Sequence, residues 1–391
     1  MAQQALQVPP VSAGDEATQA VEYAQAANIS GDIGQLSIGR LMWRRFLRNR
    51  LAVAGAILLF VMYVVIIFAE FFAPYDQLLS NEDFVARAPQ LPHFIDPAGN
   101  FHLRPFVYGT KTSLDTEILD WVHEDDLEQI FPIYFFVTGR PYTLFGLFET
   151  TRHFYGVEEP GTVFLLGTDR NGRDMVSRII FGGRISMTIG LIGVALTIVF
   201  GSILGTISGY FGGIVDTIIQ RVTELLMSFP SIALWAAFAA ALPADMTTVT
   251  RFFFISIILS LIGWTSLARQ VRAKVLAYRE MDFASAAKAA GASHARIILI
   301  HMLPNALSHI IVIATLAIPG MILAETALSF LGLGILPPAV SWGTLLQDAQ
   351  TVSVVVKKPW LMLPGLFVIM AVLSFNFVGD GIRDAADPFA I

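Results

Sequence analysis

Hydrophobic and polar positions divide the chain unevenly. Long apolar runs separated by short polar joints fill the second half, whereas the first half holds one such run. About 20 apolar residues are needed to cross a bilayer core, and six spans are read at 51–72, 185–207, 214–242, 252–267, 306–330 and 361–378. Residues 1–39 are small and polar, without the apolar segment of a secretory signal, and read as a disordered tail. Between the first two spans the hydropathy collapses. Asp96-Pro97-Ala98-Gly99-Asn100 reads there as a turn between two extended runs, hence a hairpin. A stretch this long without a span is a small domain rather than a loop. The expected fold is an all-α integral membrane protein with six transmembrane helices and an extracytoplasmic insert of mixed or β character. The expected divisions are a cytoplasmic tail with a basic anchor at 1–50, the first helix at 51–72 and the insert at 73–180. A five-helix core follows at 181–380, with a cytoplasmic loop at 269–305, and then a C-terminus at 381–391.

Composition agrees with this reading. Of 391 residues 55% are hydrophobic and only 14% charged, where soluble domains carry about 25% charged residues. Arg40, Arg44, Arg45, Arg48 and Arg50 precede the first span and should hold the N-terminus in the cytoplasm. Nucleic-acid binding is the weaker account of that cluster, because a span adjoins it. Arg269, Arg272, Lys274, Arg279, Lys288 and Arg296 outnumber Glu280 and Asp282 in the 269–305 loop, which places it on the same side. Six spans leave both termini inside. Zero cysteines removes disulfides and thiolate chemistry. The insert crowds Asp115, Glu117, Asp120, Glu124, Asp125, Asp126 and Glu128 together. No metal-ligand spacing of a recognised type appears, and a solvated acidic surface explains them better. Gly109–Thr112 lacks the glycine and the Gly-Lys pair of a phosphate loop.

The polar loop at 280–305, EMDFASAAKAAGASHARIILIHMLPN, carries the most specific local chemistry. Its alanines favour helix, and Gly291 supplies a residue that tolerates positive φ and ends one. Ser293 can cap a second helix, whose continuation Pro304 limits. Asp216, Arg221 and Glu224 lie three to five residues apart on another helix, where they can pair along one side. Pro230 falls inside the third span and predicts a kink, tolerated where neighbours or a cavity satisfy the freed carbonyl. Glu325 falls within the fifth span, where a carboxylate must be paired or wet. It either lines a pathway or gate, or sits hydrated at the outer interface.

The spacing of the loop resembles the coupling loop of ABC importer permeases, whose pattern is Glu-Ala-Ala, three residues, Gly, nine residues, Ile, any residue, Leu-Pro. Ala286, Ala287, Gly291, Leu303 and Pro304 fall on that register, while Ser285 stands for the Glu and His301 for the Ile. LLGTDRNGRDMVSR at 165–178 is very similar to a signature of the dipeptide/oligopeptide-type permeases. So are ETALSFLGLGILPPAVSWGTLLQDA at 325–349, and Gly379-Asp380-Gly381, Arg383-Asp384 and Asp387-Pro388 at the end. The likeness covers roughly residues 40–390 apart from the insert, which shorter members of the family lack.

The resemblance implies the second permease subunit of a type I, binding-protein-dependent importer for dipeptides or oligopeptides, in a bacterial inner membrane. Related importers carry nickel chelates, opines, glutathione or glycosides. Expected partners are a sister permease in a heterodimer, two cytoplasmic ABC ATPases that hold ATP and Mg, an external solute-binding protein and the lipid bilayer. No nucleic acid, and no cofactor bound by this chain, is expected. Asp282, Ala286, Ala287, Gly291, Arg296, Leu303 and Pro304 are then the coupling-loop residues. Pro230 and Glu325 are pathway or gate candidates, and Asp216, Arg221 and Glu224 are candidates for subunit contacts. The insert would cap the outer mouth. A membrane-embedded hydrolase using Ser308 with His301 and His309 is a remote alternative, because no motif brings a nucleophile and oxyanion donors together. A secondary transporter would need buried coupling carboxylates and an inverted repeat, neither of which is evident.

Overall fold

A computed structural model describes residues 38–115 and 120–386. The polar tail at 1–37, Glu117, and the Asp387-Pro388 pair lie outside the described residues. The described residues open with α1 (Ile38–Arg48), a short basic helix. Asn49 then caps α2 (Arg50–Ile67) by accepting from the Ala52 N–H, and a single turn, α3 (Ala69–Phe72), follows.

The insert is built on two antiparallel sheets. One holds β1 (His93–Ile95), β2 (Phe101–Asp115) and β3 (Asp120–Pro132) in that order; the other is a hairpin of β4 (Tyr134–Leu144) and β5 (Phe148–Gly156). The Asp96–Asn100 turn closes β1 onto β2 as its sequence indicated. Buried Val107, Ile133, Tyr155 and Val163 form a separate small core there.

The bundle follows as α4 (Met175–Phe211), α5 (Gly213–Met227), α6 (Ser231–Ala240), α7 (Thr248–Arg279), α8 (Asp282–Ala289), α9 (His294–Phe330), α10 (Trp342–Gln347), α11 (Val352–Lys357) and α12 (Leu363–Ala386). Among the described residues five helices are long and apolar enough to cross a membrane, and α5 with α6 makes a sixth, bent by 85° at its break. Pro230 sits at that break as the residue preceding α6, so the third span is broken rather than kinked.

Span ends also differ from the hydropathy reading. The second helix begins at Met175, because Asp174 accepts from the Ser177 N–H and fixes the start there. The fourth runs on to Arg279, since its charged last turns remain helical while leaving the apolar zone.

Packing of α4 on α7 is the most extensive in the bundle. A Cβ at Gly205 would stand 2.5 Å from the Ala268 carbonyl oxygen, and one at Gly209 would stand 2.8 Å from that of Arg272. Small residues four apart let two backbones meet in this way. At one end of the bundle Phe46, Ala52 and Ala385 cluster, joining α1 and α2 to the end of α12. The α8 loop lies at that end, and the insert lies at the other.

Candidate coupling site

Helix α8 is short, and its position is set by what lies beneath it. Ala284 is buried in a cluster with Leu267, Val271 and Val275 of α7 and Ile297, Met302, Ala306 and Ile310 of α9, while Phe283 and Ala287 pack against the same cluster. The opposite face, with Asp282, Ser285, Ala286 and Lys288, is exposed. Gly291 adopts φ +76° and turns the chain. Its N–H donates to the Lys288 carbonyl, and the Ala292 N–H donates to that of Ala287. Ser293 then caps the next helix by accepting from the Arg296 N–H at 3.3 Å, with the Arg296 side chain exposed.

Leu303 is half-buried and Pro304 exposed. Pro304 does not end the helix, contrary to the limit expected from sequence. Residues Ile297–Met302 widen into a π-helical turn immediately before it. A wider turn relieves the clash of a proline ring with the preceding turn and absorbs its missing donor. The Asn305 side chain donates to the His301 carbonyl at 2.6 Å, satisfying one of the acceptors.

The loop is strapped to its platform. Tyr210 Oη at the end of α4 meets His294 Nδ1 at 2.8 Å. Tyr278 donates to the Asn305 carbonyl at 3.2 Å, and Arg279 donates to the Tyr210 carbonyl at 3.4 Å. A cavity of about 420 Å³ opens between these helix ends and α8. Helix α8 is thereby joined to the ends of α4, α7 and α9 together.

Asp216 lies at this end too, but its partner is not on its own helix. Arg272 of α7 donates two hydrogen bonds to it at 2.6 Å each, and Ser208 of α4 donates a third at 2.5 Å. The carboxylate therefore locks three helices within the chain instead of pairing along α5. Arg221 and Glu224 do pair with each other at 2.7 Å, both exposed. Exposed pairs of this kind contribute little to stability.

Glu325 has no exposed surface, so it is neither hydrated nor open to a pathway in this conformation. Ser186 of α4 and Ser329 donate to its two oxygens at 2.8 and 2.7 Å. Each serine in turn accepts a backbone N–H, Trp342 for Ser186 and Ile335 for Ser329. A buried carboxylate needs such a satisfied network, and this one ties α9 to α4 and to the segment leading into α10.

A second polar junction joins the insert to the bundle. Asp169 is fully buried, accepts from the backbone N–H groups of Asn171 and Arg173 and from Arg173 Nε at 2.7 Å, and forms an ion pair with Arg178. Thr168 accepts from the Arg87 N–H, and Gln90 bonds Phe164 in both directions. Asp174 next to it is buried, and desolvation pushes its carboxyl up to about 6 despite the bonds from Ser177. A raised carboxyl pKa means the folded state holds the proton between pH 4 and 6. Stability from this group therefore falls as pH rises across that window and is flat above it. Asp174→Asn keeps a capping oxygen without the charge. Thermal unfolding of this variant in detergent should show a gain at pH 8 that vanishes near pH 4. An equal change at both values would contradict the assignment.

Among the described residues no three His, Asp or Glu side chains converge on a metal-sized site. Ser308 is exposed, whereas His301 and His309 are half-buried on the same helix. Sequence reading missed the Asp216–Arg272 lock, the Glu325–Ser186 bond and the Arg87–Thr168 and Gln90–Phe164 bonds beside Asp169, because each joins residues distant in the chain. Only the stretch around Asp169 carried a signal, as part of the 165–178 signature.

Residues 198–390 match the family described as "binding-protein-dependent transport system inner membrane component", and residues 37–92 match the N-terminal TM domain of oligopeptide transport permease C. The chain is 40% identical over 233 residues to a dipeptide transport system permease protein from Alkalihalophilus pseudofirmus, spanning 59% of this chain and 74% of that one. It is 41% identical over 223 residues to an oligopeptide transport system permease protein from Haemophilus influenzae, spanning 57% and 69%. The chain therefore belongs to the binding-protein-dependent importer permeases, and it is a permease subunit of such an importer. All five strands of the insert lie between the two matched ranges.

Proposed function

We propose that this permease imports dipeptides or oligopeptides, as one half of a heterodimer with a sister permease. Two cytoplasmic ATPases, holding ATP and Mg, dock on α8, and an external solute-binding protein delivers the solute. The observation that carries the reading is the coupling loop. Its inner face is packed on the ends of α7 and α9 while its outer face is free. The peptide class rests on what the relatives are called.

Ligand-driven change requires differential contacts in two states, and the exposed face bearing Asp282, Ser285, Ala286 and Arg296 is where an ATPase makes them. Ala287, Gly291, Leu303 and Pro304 hold the shape that presents this face. The basic residues at this end support a cytoplasmic loop with both termini on the same side. The bent α5–α6 span leaves Ile214, Ile218, Leu225, Phe229 and Ile232 exposed beside the Arg221–Glu224 pair, a surface suited to the sister permease. Pro230 at the break faces that partner across the pathway. Glu325 acts as a gate joint, since α4 and α9 cannot slide without parting it from Ser186. The insert caps the outer mouth.

Affinity capture of the tagged chain from mildly solubilised membranes, with mass identification, tests the assembly. A second permease and one or two P-loop ATPases are expected. Recovery of the chain alone would overturn it. The cap has its own test. The Gln90 N–H donates to the Phe164 carbonyl at 2.9 Å, so residues 91–161 can be replaced by a short glycine linker. ATPase capture should persist in that variant while solute uptake falls. Loss of ATPase capture would show instead that the insert is needed for folding.

A further inference from the structure

The hairpin β4–β5 turns on an unusual sequence. Phe145, Gly146 and Leu147 join the strands and Phe148 opens β5, and the side chains of Phe145, Leu147 and Phe148 are 50, 76 and 65% exposed. Hairpin turns facing water are normally built from Gly, Asn, Asp, Pro and Ser. From Pro141 to Phe148 the hairpin carries no charge, whereas Arg140 and Glu149 flank it immediately. Phe145 is moreover held at φ +54°, a conformation uncommon for a bulky residue.

The position of this tip explains its composition. The Phe145 ring meets Phe68 edge-on, with centroids 5.3 Å apart, and Phe68 is the residue that ends the apolar span α2. Arg184 supplies a charged group at this end of α2. It donates to the Ile66 and Ile67 carbonyls at 3.0 and 3.1 Å, and it grips Glu70 with two bonds of 2.8 Å. Charged side chains at span ends settle where headgroups and water can reach them. The outer face of α2 exposes Ile57, Phe60, Val61 and Ile67, and that apolar stripe runs on through Phe68 into the hairpin tip. Deeper in the insert, Phe71 meets Phe136 and Phe154 with tilted rings, centroids 6.1 and 5.9 Å apart, so the hairpin is fastened along α3.

We propose that residues 145–148 form a membrane finger, an aromatic hairpin tip seated in the interfacial layer of the bilayer beside the first span. Its occupant is lipid, because the surface is continuous with the lipid-facing stripe of α2 and lies at the depth of the Arg184–Glu70 pair. Phe and Leu side chains bury their apolar surface at the headgroup–acyl boundary, as on the apolar face of interfacial helices. The finger gives the insert a second attachment to the membrane, independent of the Asp169 junction. The inference requires only that α2 spans the bilayer, and not the coupling role of α8.

The absence of cysteine makes the test direct. Leu147→Cys, and separately Phe148→Cys, introduces a single thiol for an environment-sensitive fluorophore. Ala98→Cys in the exposed polar β1–β2 turn serves as the aqueous reference. In the assembled importer reconstituted in nanodiscs, the 147 and 148 labels should be blue-shifted. They should be quenched several-fold more by brominated lipid than the label at 98, and less by aqueous iodide. Iodide quenching equal to that at 98 would overturn the proposal. So would shielding from both quenchers, which would show a protein covering the tip.

Discussion

Asp169→Ala should abolish stable accumulation of the protein. The carboxylate is fully buried and receives two backbone N–H groups and two guanidinium groups. Removing one partner of a buried ion pair costs about 3–5 kcal/mol, because the remaining charge stays desolvated and unpaired. Native proteins hold only about 5–15 kcal/mol in reserve. Arg178 lies within the first turns of α4 and Arg173 in the preceding loop, so the damage falls where the insert meets the bundle. Asp169→Asn should be milder, since an amide oxygen still receives the Asn171 and Arg173 N–H groups. Combining Asp169→Asn with Arg178→Met should recover part of the loss, because the stranded charge is then gone. Membrane abundance measures the first variant, and melting temperature in detergent measures the other two. Strictly additive losses in the double variant would contradict the ion-pair account.

Gly291→Pro should act on transport and not on folding. Proline holds φ near −65°, whereas position 291 needs +76°. The substitution also deletes the N–H that donates to the Lys288 carbonyl. The site is at the exposed end of the loop, where an added Cβ would touch nothing within 4 Å, so the bundle has no reason to unfold. What moves is the angle between α8 and the start of α9, and with it the face offered to an ATPase. Mis-seating that weakens docking by 1.4 kcal/mol lowers occupancy about tenfold. Solute uptake in proteoliposomes should fall by at least about that factor, with the protein still present in the membrane. A bulky residue at Ala287, which packs against the cluster beneath α8, should have the same effect. Normal uptake by both variants would refute the coupling assignment.

Much of this architecture is legible along the chain, and the remainder fails for identifiable reasons. Hydropathy finds the spans because lipid exposure demands apolar side chains on helices, and the outer faces here are indeed apolar, as at Phe60, Ile203 and Ile311. It misplaces their ends because caps and charged last turns are not hydrophobic, as with Asp174 before α4 and Arg279 at the end of α7. Proline marks the break at 230, but its 85° angle depends on the packing of α6 against α7 and α9. Gly291 and Ser293 behave as their local chemistry dictates, since caps and turns are short-range. The Asp216–Arg272 lock spans 56 residues, and the Glu325–Ser186 bond 139. Nothing local selects those partners over nearer ones such as Arg221.

The central claim is that the outer face of α8 is where force enters the permease. Its most direct test is a single thiol at Ala286→Cys, an exposed position on that face in a chain otherwise free of cysteine. A short bifunctional cross-linker applied to membranes containing the assembled importer should join it to a P-loop ATPase, identified by mass, with a yield that changes on adding ATP and Mg. A thiol that reacts freely with maleimide in the assembled importer and yields no ATPase adduct would contradict the account.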